Sequence, residues 1–324
     1  MFLTRLLRIV LGSAAMALAA GNAAAQADCP PPAPTLDTLR IDQLGADVRD
    51  RGYLWQLTRG GRTSWLYGTV HVSRAEWLMP GPRVQSALEQ SDVLALELDP
   101  GDPELQKAFS ERVDAARAQR VTAGLQARLA RAAVRECVPA GTLAGVQPIL
   151  QVTTLSLAEG RRDGFHPELA VDAMLWGLAT GTGKPVVALE TPASQMAALR
   201  PASEAEERVL IAQTLQEIES GSGRRSMRRL LQAWADNDLQ SLLTYADWCE
   251  CLDTPEERRY LQRLNDERNG PMADKLLALD ASGRSFFAAV GALHMTGPQA
   301  LPQLLRARGF QVEPVPLSTS TSKP

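Results

Sequence analysis

Ser64-Trp65-Leu66-Tyr67-Gly68-Thr69-Val70-His71 is an apolar, aromatic-rich run that closes on Gly-x-x-His. Near the other end of the chain, Ser285-Phe286-Phe287-Ala288-Ala289-Val290-Gly291-Ala292-Leu293-His294 repeats the arrangement. Each reads as a strand that delivers a histidine just beyond its C-terminal end. The chain holds only three histidines, and two of them stand in this matched context. One histidine after a strand is more often structural than functional. A matched pair points to a site, because neutral imidazole is the commonest metal ligand and a frequent catalytic base. The glycine three positions before each histidine would let the backbone bend sharply as it leaves the sheet.

Outward from these two anchors, Tyr53-Leu54-Trp55-Gln56-Leu57 pairs with the first run across Gly60-Gly61, a hairpin signal because both glycines tolerate positive φ. Val93-Leu94-Ala95-Leu96-Glu97-Leu98 and Lys184-Pro185-Val186-Val187-Ala188-Leu189-Glu190 read as strands buried on both faces, and Val312 to Val315 as a terminal strand. Arg83 to Gln90 is an amphipathic helix with Val84, Ala87 and Leu88 on one face. Between about 103 and 272 the pattern is mostly helical. Helices are expected over 105–133, 148–159, 168–179, 204–219, 224–235, 239–245 and 255–268, with another over 300–308. The resulting expectation is an α/β fold: a mixed, largely parallel central sheet with flanking helices and a helical insertion between its two halves.

A carboxylate inside a buried run is costly unless it meets a cation, a metal or hydrogen-bond donors. Glu97 is such a residue, and Glu190 ends the other buried run. His71, Glu97, Glu190 and His294 therefore share one property, each standing at or just past the C-terminal end of an apolar strand. Ligands of open α/β sheets bind outside those ends, so parallel neighbours would bring the four together. Two imidazoles with one or two carboxylates suit zinc, manganese or a similar divalent ion. There is no His-Glu-x-x-His and no Gly-x-Ser-x-Gly, and Gly181-Thr182-Gly183-Lys184 lacks the Ser or Thr of a phosphate loop. His166, beside Pro167, reads as a surface-loop residue, and Arg268 as the end of a charged helix.

Residues 1–25 read as a cleavable export signal: Arg5 and Arg8, a short apolar run, then Ala23-Ala24-Ala25. Residues 26–49 form an N-terminal leader, of which the proline- and alanine-rich 26–35 has little reason to fold, 50–316 the α/β domain with its helical insertion, and 317–324 a disordered tail. A periplasmic protein with no membrane span after cleavage is expected. With 34 Lys and Arg against 37 Asp and Glu, the mild acidity and the lack of a basic block argue against nucleic acid as a partner. Four cysteines in an exported chain favour disulfides. Cys249 and Cys251 stand too close to pair comfortably, so at least one is expected to reach Cys137 or Cys29.

These residues resemble the TraB/GumN family, which is related to the Tiki proteins. The matching pieces are Leu54-Trp55-Gln56-Leu57 with Gly60-Gly61, Leu66 to His71, Ser91-Asp92 with Leu96-Glu97-Leu98-Asp99, Gly183 to Val187 with Leu189-Glu190-Thr191, Glu267-Arg268-Asn269, and Val290 to His294. The resemblance spans roughly residues 50–316. It implies a metal-dependent hydrolase, peptidase-like as in the Tiki proteins, with a manganese or cobalt ion. His71 and His294 would be metal ligands, Glu97 a ligand or the base that activates water, and Glu190 and Arg268 members of the same pocket, with Glu190 an alternative base and Arg268 a catalytic donor to the oxyanion. A similar histidine and glutamate arrangement serves ester hydrolysis in the erythromycin esterases. Two other readings come from relatives: a non-catalytic protein that sequesters a peptide or small ligand, and a haem-binding protein. The oligomeric state is left open.

Overall fold

The computed structural model describes residues 29–34, 48–111, 113–139 and 141–317. The segment read as an export signal lies outside them, as do most of the leader and all of the tail except Leu317, which is buried. Strand-forming residues make one sheet from β1 (Tyr53–Arg59), β2 (Arg62–Thr69), β3 (Val93–Leu96), β4 (Val186–Ala188), β5 (Phe286–Gly291) and β6 (Gln311–Val315). Their order is β4-β3-β5-β2-β1-β6. Gly60 and Gly61 join β1 to β2 with φ of 56° and 78°, the conformation a two-residue hairpin needs. β4, β3, β5 and β2 run parallel, whereas β1 is antiparallel to both β2 and β6. The α/β class and the largely parallel sheet are as the sequence led one to expect.

The parallel strands need long crossovers, and helices supply them. Those that matter for the site are α1 (Pro82–Gln90), α2 (Pro148–Glu159), α3 (Val171–Gly181), α4 (Pro192–Leu199), α5 (Glu204–Ser220), α6 (Ser222–Ala235), α7 (Asp266–Ala281) and α8 (Leu301–Ala307). Val84, Ala87 and Leu88 of α1 are buried as the amphipathic pattern requires. Leu94, Ala95, Phe286, Phe287 and Ala288 are fully buried in the central strands, and Trp234, Leu276 and Leu301 pack into the same core. A second apolar cluster is separate from the sheet. Ile149, Val152 and Leu155 of α2 meet Ile211, Leu215 and Ile218 of α5 there, joined by Leu129 and Val121. The helical stretch between β3 and β5 thus carries a core of its own, while β4 interrupts it and joins the sheet.

Three local expectations are corrected. The helix expected over 105–133 is three short ones, Pro103–Ser110, Ala115–Val121 and Gln126–Arg135. Asp114 caps the second through its side chain, and Gly124 takes φ of 78° before the third. The charged helix expected to run to Arg268 stops at Leu264, where Asn265 leaves helical geometry with φ of −117° and ψ of −73°. Arg268 therefore belongs to the first turn of α7. His166 is buried, not at the surface; it and Ser73 exchange both backbone hydrogen bonds, at 3.2 and 2.8 Å.

The disulfides also differ from expectation. Cys29 is bonded to Cys137, and Cys249 to Cys251. The chain turns at Glu250 and brings the flanking Cα atoms to 5.2 Å, inside the range a disulfide spans. The two links constrain the unfolded chain very differently, with sequence separations of 108 and 2. On loop-closure entropy the longer link is worth about 3 kcal/mol more. Among the described residues no helix is long and apolar enough to cross a membrane.

Candidate functional site

Because β4, β3, β5 and β2 are parallel neighbours, their C-terminal ends form one edge of the sheet. Along that edge, in the same order, the departing chain supplies Glu190, Glu97, His294 and His71. The Glu190 N–H donates to the Glu97 carbonyl at 2.9 Å, which extends the β3–β4 ladder as far as the two carboxylates. His294 lies in a 3₁₀ turn, Ala292–Met295, directly after β5. All four residues expected to converge do so.

Neither motif glycine has a positive φ, so a sharp bend is not what glycine provides here. It provides room. A Cβ on Gly68 would stand 3.2 Å from Ala292 Cα, where β2 and the turn after β5 press together. A Cβ on Gly291 would stand 3.3 Å from Glu97 Oε1, 3.4 Å from His71 Nε2 and 3.7 Å from His294 Cδ2. The missing side chain of Gly291 is therefore the hollow around which the three expected metal ligands gather.

Glu97 is buried and its donors are specific. Oε1 accepts from the Gly291 N–H at 2.7 Å. Oε2 accepts from Arg268 Nη2 and from Gln195 Nε2, the latter at 3.3 Å. Burial opposes ionisation of this carboxyl, but His294, Arg268 and His71 beside it and the Gly291 N–H outweigh burial, holding the group well below the usual carboxylate range. Arg268 is the clamp of the pair. Its Nε donates to Glu190 Oε1 at 2.9 Å, its Nη2 is shared between Glu190 and Glu97, and its Nη1 donates to the Leu264 carbonyl at 2.8 Å. The two carboxylates more than offset burial and raise the pKa of its guanidinium. With a single N–H left over, Arg268 positions two carboxylates more than it offers donors to a substrate.

The two imidazoles are oriented from behind. Asn269 Nδ2 donates to the carbonyls of His294 and Gln299 at 3.2 and 2.8 Å, so its Oδ1 is left as the acceptor for His294 Nδ1–H at 2.6 Å. That places the His294 proton on Nδ1 and leaves the Nε2 lone pair facing Glu97 Oε1 at 3.6 Å. Burial pushes the His294 pKa down to about 4, so the ring is neutral at pH 7. Two acceptors face each other there across a gap too long for a hydrogen bond, an arrangement that suits a cation between them. His71 sits at the mouth with its ring more than half exposed, and its Nδ1 lies 3.2 Å from Asp172 Oδ1. Asp172 raises the His71 pKa to about 9, so at pH 7 the ring would have to give up its Nε2 proton to hold a metal.

The donor set thus fits a divalent ion in kind: two imidazoles, each oriented through Nδ1, and one carboxylate oxygen. Among the described residues, however, no three His, Cys, Asp or Glu side chains are drawn close enough to close on one ion. Glu97 is turned toward Arg268 and Gly291 instead.

Sequence reasoning missed three supporting residues. Asp172 is the lone acid in the apolar helix α3, a signal of the same kind that marked Glu97. Asn269 directly follows Arg268, at the first turn of a helix whose start was not foreseen. Gln195 on α4 left no signal, because a glutamine on a short helix usually faces water.

Comparison with known proteins bears on the same residues. The protein YbaP of Shigella flexneri, described only as uncharacterized, is 26% identical over 283 residues, 82% of this chain and 98% of its own length. YbaP of Escherichia coli K12 is 25% identical over the same shares. No solved structure matches the chain. The profile of the TraB/PrgY/gumN family matches residues 53–314, from the first residue of β1 almost to the end of β6, and so takes in the whole sheet and the edge that carries the site. The chain belongs to the TraB/PrgY/gumN family.

Proposed function

We propose that the chain is an exported, divalent-metal-dependent hydrolase acting on a peptide. One observation carries this reading: His71 Nε2, Glu97 Oε1 and His294 surround the hollow at Gly291, and the lone pair of His294 Nε2 faces Glu97 Oε1. His71, Glu97 and His294 would hold manganese, cobalt or zinc. Such an ion supplies Lewis acidity, making water acidic near neutral pH and polarising a carbonyl. Within the chain, Glu97 is kept ionised to serve as ligand or as the base that takes a proton from water, with Glu190 the alternative base, while Arg268 keeps the two carboxylates from drifting apart. Asn269 and Asp172 keep the two imidazoles turned inward. Export is supported by the character of residues 5–25 and by the pairing of all four cysteines. A peptide substrate is what the resemblance to the Tiki proteins would imply.

The engagement of Glu97 Oε2 and both Glu190 oxygens by Arg268 favours a second reading, a hydrolase that works without metal, with neutral His294 as the base. Metal analysis separates the two. Purified protein and a His71→Ala/His294→Ala variant are refilled with manganese, cobalt or zinc and assayed for bound metal and for cleavage of a peptide library. Metal near one equivalent in the first and little in the second, with cleavage only in the first, is the expected result. Cleavage by a protein that takes up no metal would transfer the reaction to His294 alone. Neither metal nor cleavage would leave a binding protein.

A further inference from the structure

Cys249 and Cys251 are joined across a single residue. So short a link removes little freedom from the unfolded chain, which makes stapling a weak reason for it. Its surroundings are those of a reactive group. Cys249 is part of the wall of a cavity of about 420 Å³ between α5, the start of α6 and residues 247–257, and none of the site residues described above lines it. The Tyr245 hydroxyl lies 3.1 Å from Cys251 Sγ. Glu217 and Glu257 line the same cavity, and burial and then the charge of Glu257 disfavour ionisation of Glu217.

We propose that Cys249–Cys251 is a thiol–disulfide exchange site, with a thiol carried on a cationic molecule as its partner and Glu217 as its proton donor. An incoming thiolate attacks Cys249 Sγ on the cavity wall. The bond between Cys249 and Cys251 breaks as the mixed disulfide forms, and the electron pair passes to Cys251 Sγ. Tyr245 O–H donates a hydrogen bond to that sulfur, and Glu217 gives it the proton, later recovering one from water. A second thiol of the partner then attacks the partner's sulfur in the mixed disulfide, and its proton goes to Cys249. The partner dithiol is oxidised to a disulfide by two electrons, and Cys249 and Cys251 are reduced to thiols.

The cavity's charge selects the partner. Asp247, Glu250 and Asp253 line it with the two glutamates, against Arg225, which is paired to Glu250. That field repels anionic thiols and attracts cationic ones. It also disfavours a bare thiolate on Cys251, so exchange needs a proton at hand. Burial first, then Glu257, with Glu159 and Asp253 behind it, pushes the Glu217 pKa up to about 8, so Glu217 is loaded at neutral pH. Tyr245, pushed up to about 12 by burial and by Glu217, stays protonated throughout.

The test treats the purified, oxidised protein with cysteamine, 2-mercaptoethanol or 2-mercaptoethanesulfonate at matched thiolate concentration. Free thiols are then alkylated and located by mass spectrometry. Cys249–Cys251 should open at least about tenfold faster than Cys29–Cys137, fastest with cysteamine, leaving cysteamine on Cys249 and the alkyl group on Cys251. The rate should decline above about pH 8 as Glu217 loses its proton, and Glu217→Gln should be slower and lack that decline. Opening of both disulfides together, the reverse placement of the labels, no preference for cysteamine, or an unchanged pH profile in Glu217→Gln would each overturn the assignment. A Cys249→Ser/Cys251→Ser variant should melt with the parent. A loss of Tm as large as that of Cys29→Ser/Cys137→Ser would make the link a staple and sink the proposal.

Discussion

Gly291 donates its N–H to Glu97 and keeps the space between Glu97 and the two histidines empty. Its backbone, with φ of −51° and ψ of 135°, is open to any residue, so the demand for glycine here comes from the site and not from the chain. Gly291→Ala should fold with stability within about 1 kcal/mol of the parent, yet lose hydrolysis and metal uptake about tenfold or more, because small displacements of reacting groups are costly. Thermal melting beside a metal titration checks both halves. At Gly81, by contrast, a Cβ would stand 2.1 Å from the Asp50 nitrogen, so an alanine there should fail on folding alone. Glu159 sets a different test. It is buried, both its oxygens lack hydrogen-bond partners, and burial with Glu136 nearby pushes its pKa up to about 8. The unfolded carboxyl ionises near 4.5, so between 4.5 and about 8 the native state binds more protons and stability falls as pH rises. Glu159→Gln should match the parent below pH 4.5 and exceed it by on the order of a few kcal/mol at pH 8. Urea midpoints across that range would show it, and a constant offset at all pH values would refute it.

Helices reach the site by their first turns. α7 begins at Asp266 and presents Arg268 and Asn269 within that turn; residue pattern alone read Arg268 as the end of the preceding helix, and only the family resemblance placed it in the pocket. α4 begins right after Glu190, and Thr191 and Ser194 close a capping box that fixes where the helix starts. Gln195 one residue later then reaches Glu97. Thr191→Ala should cost about 1 kcal/mol and loosen Gln195. The expected readout is a modest fall in kcat with KM nearly unchanged, and a variant that loses stability but keeps full turnover would show that Gln195 does not matter. α6 acts from the other side. Trp234 donates to the Gly68 carbonyl at 2.7 Å, tying the helix to the point where β2 meets the turn after β5.

Across the whole molecule, Cys29–Cys137 fastens the leader to the helical stretch between β3 and β4. A closed loop of this size is worth up to about 4.7 kcal/mol, so Cys29→Ser/Cys137→Ser should lower Tm by several degrees while the site, on another part of the fold, keeps its activity at low temperature. Strand identity, the hairpin, the α/β class and the strand-end placement of His71, Glu97, Glu190 and His294 were legible in the chain, because buried strands and their termini are written in local apolar pattern and glycine placement. The strand order was not. Placing β5 between β3 and β2 depends on pairings 193 and 222 residues apart, and only those pairings put His294 between Glu97 and His71. Long sequence separation likewise hid Arg268 as the clamp of Glu97 and Glu190 and Asp172 behind His71, whereas the pairing of Cys249 with Cys251 turned on the local path of the chain at Glu250. Sequence by itself determined which side chains stand where strands end. The tertiary structure decided which of them share a proton, a charge or a hollow, since contacts between distant residues leave no periodic trace in the chain.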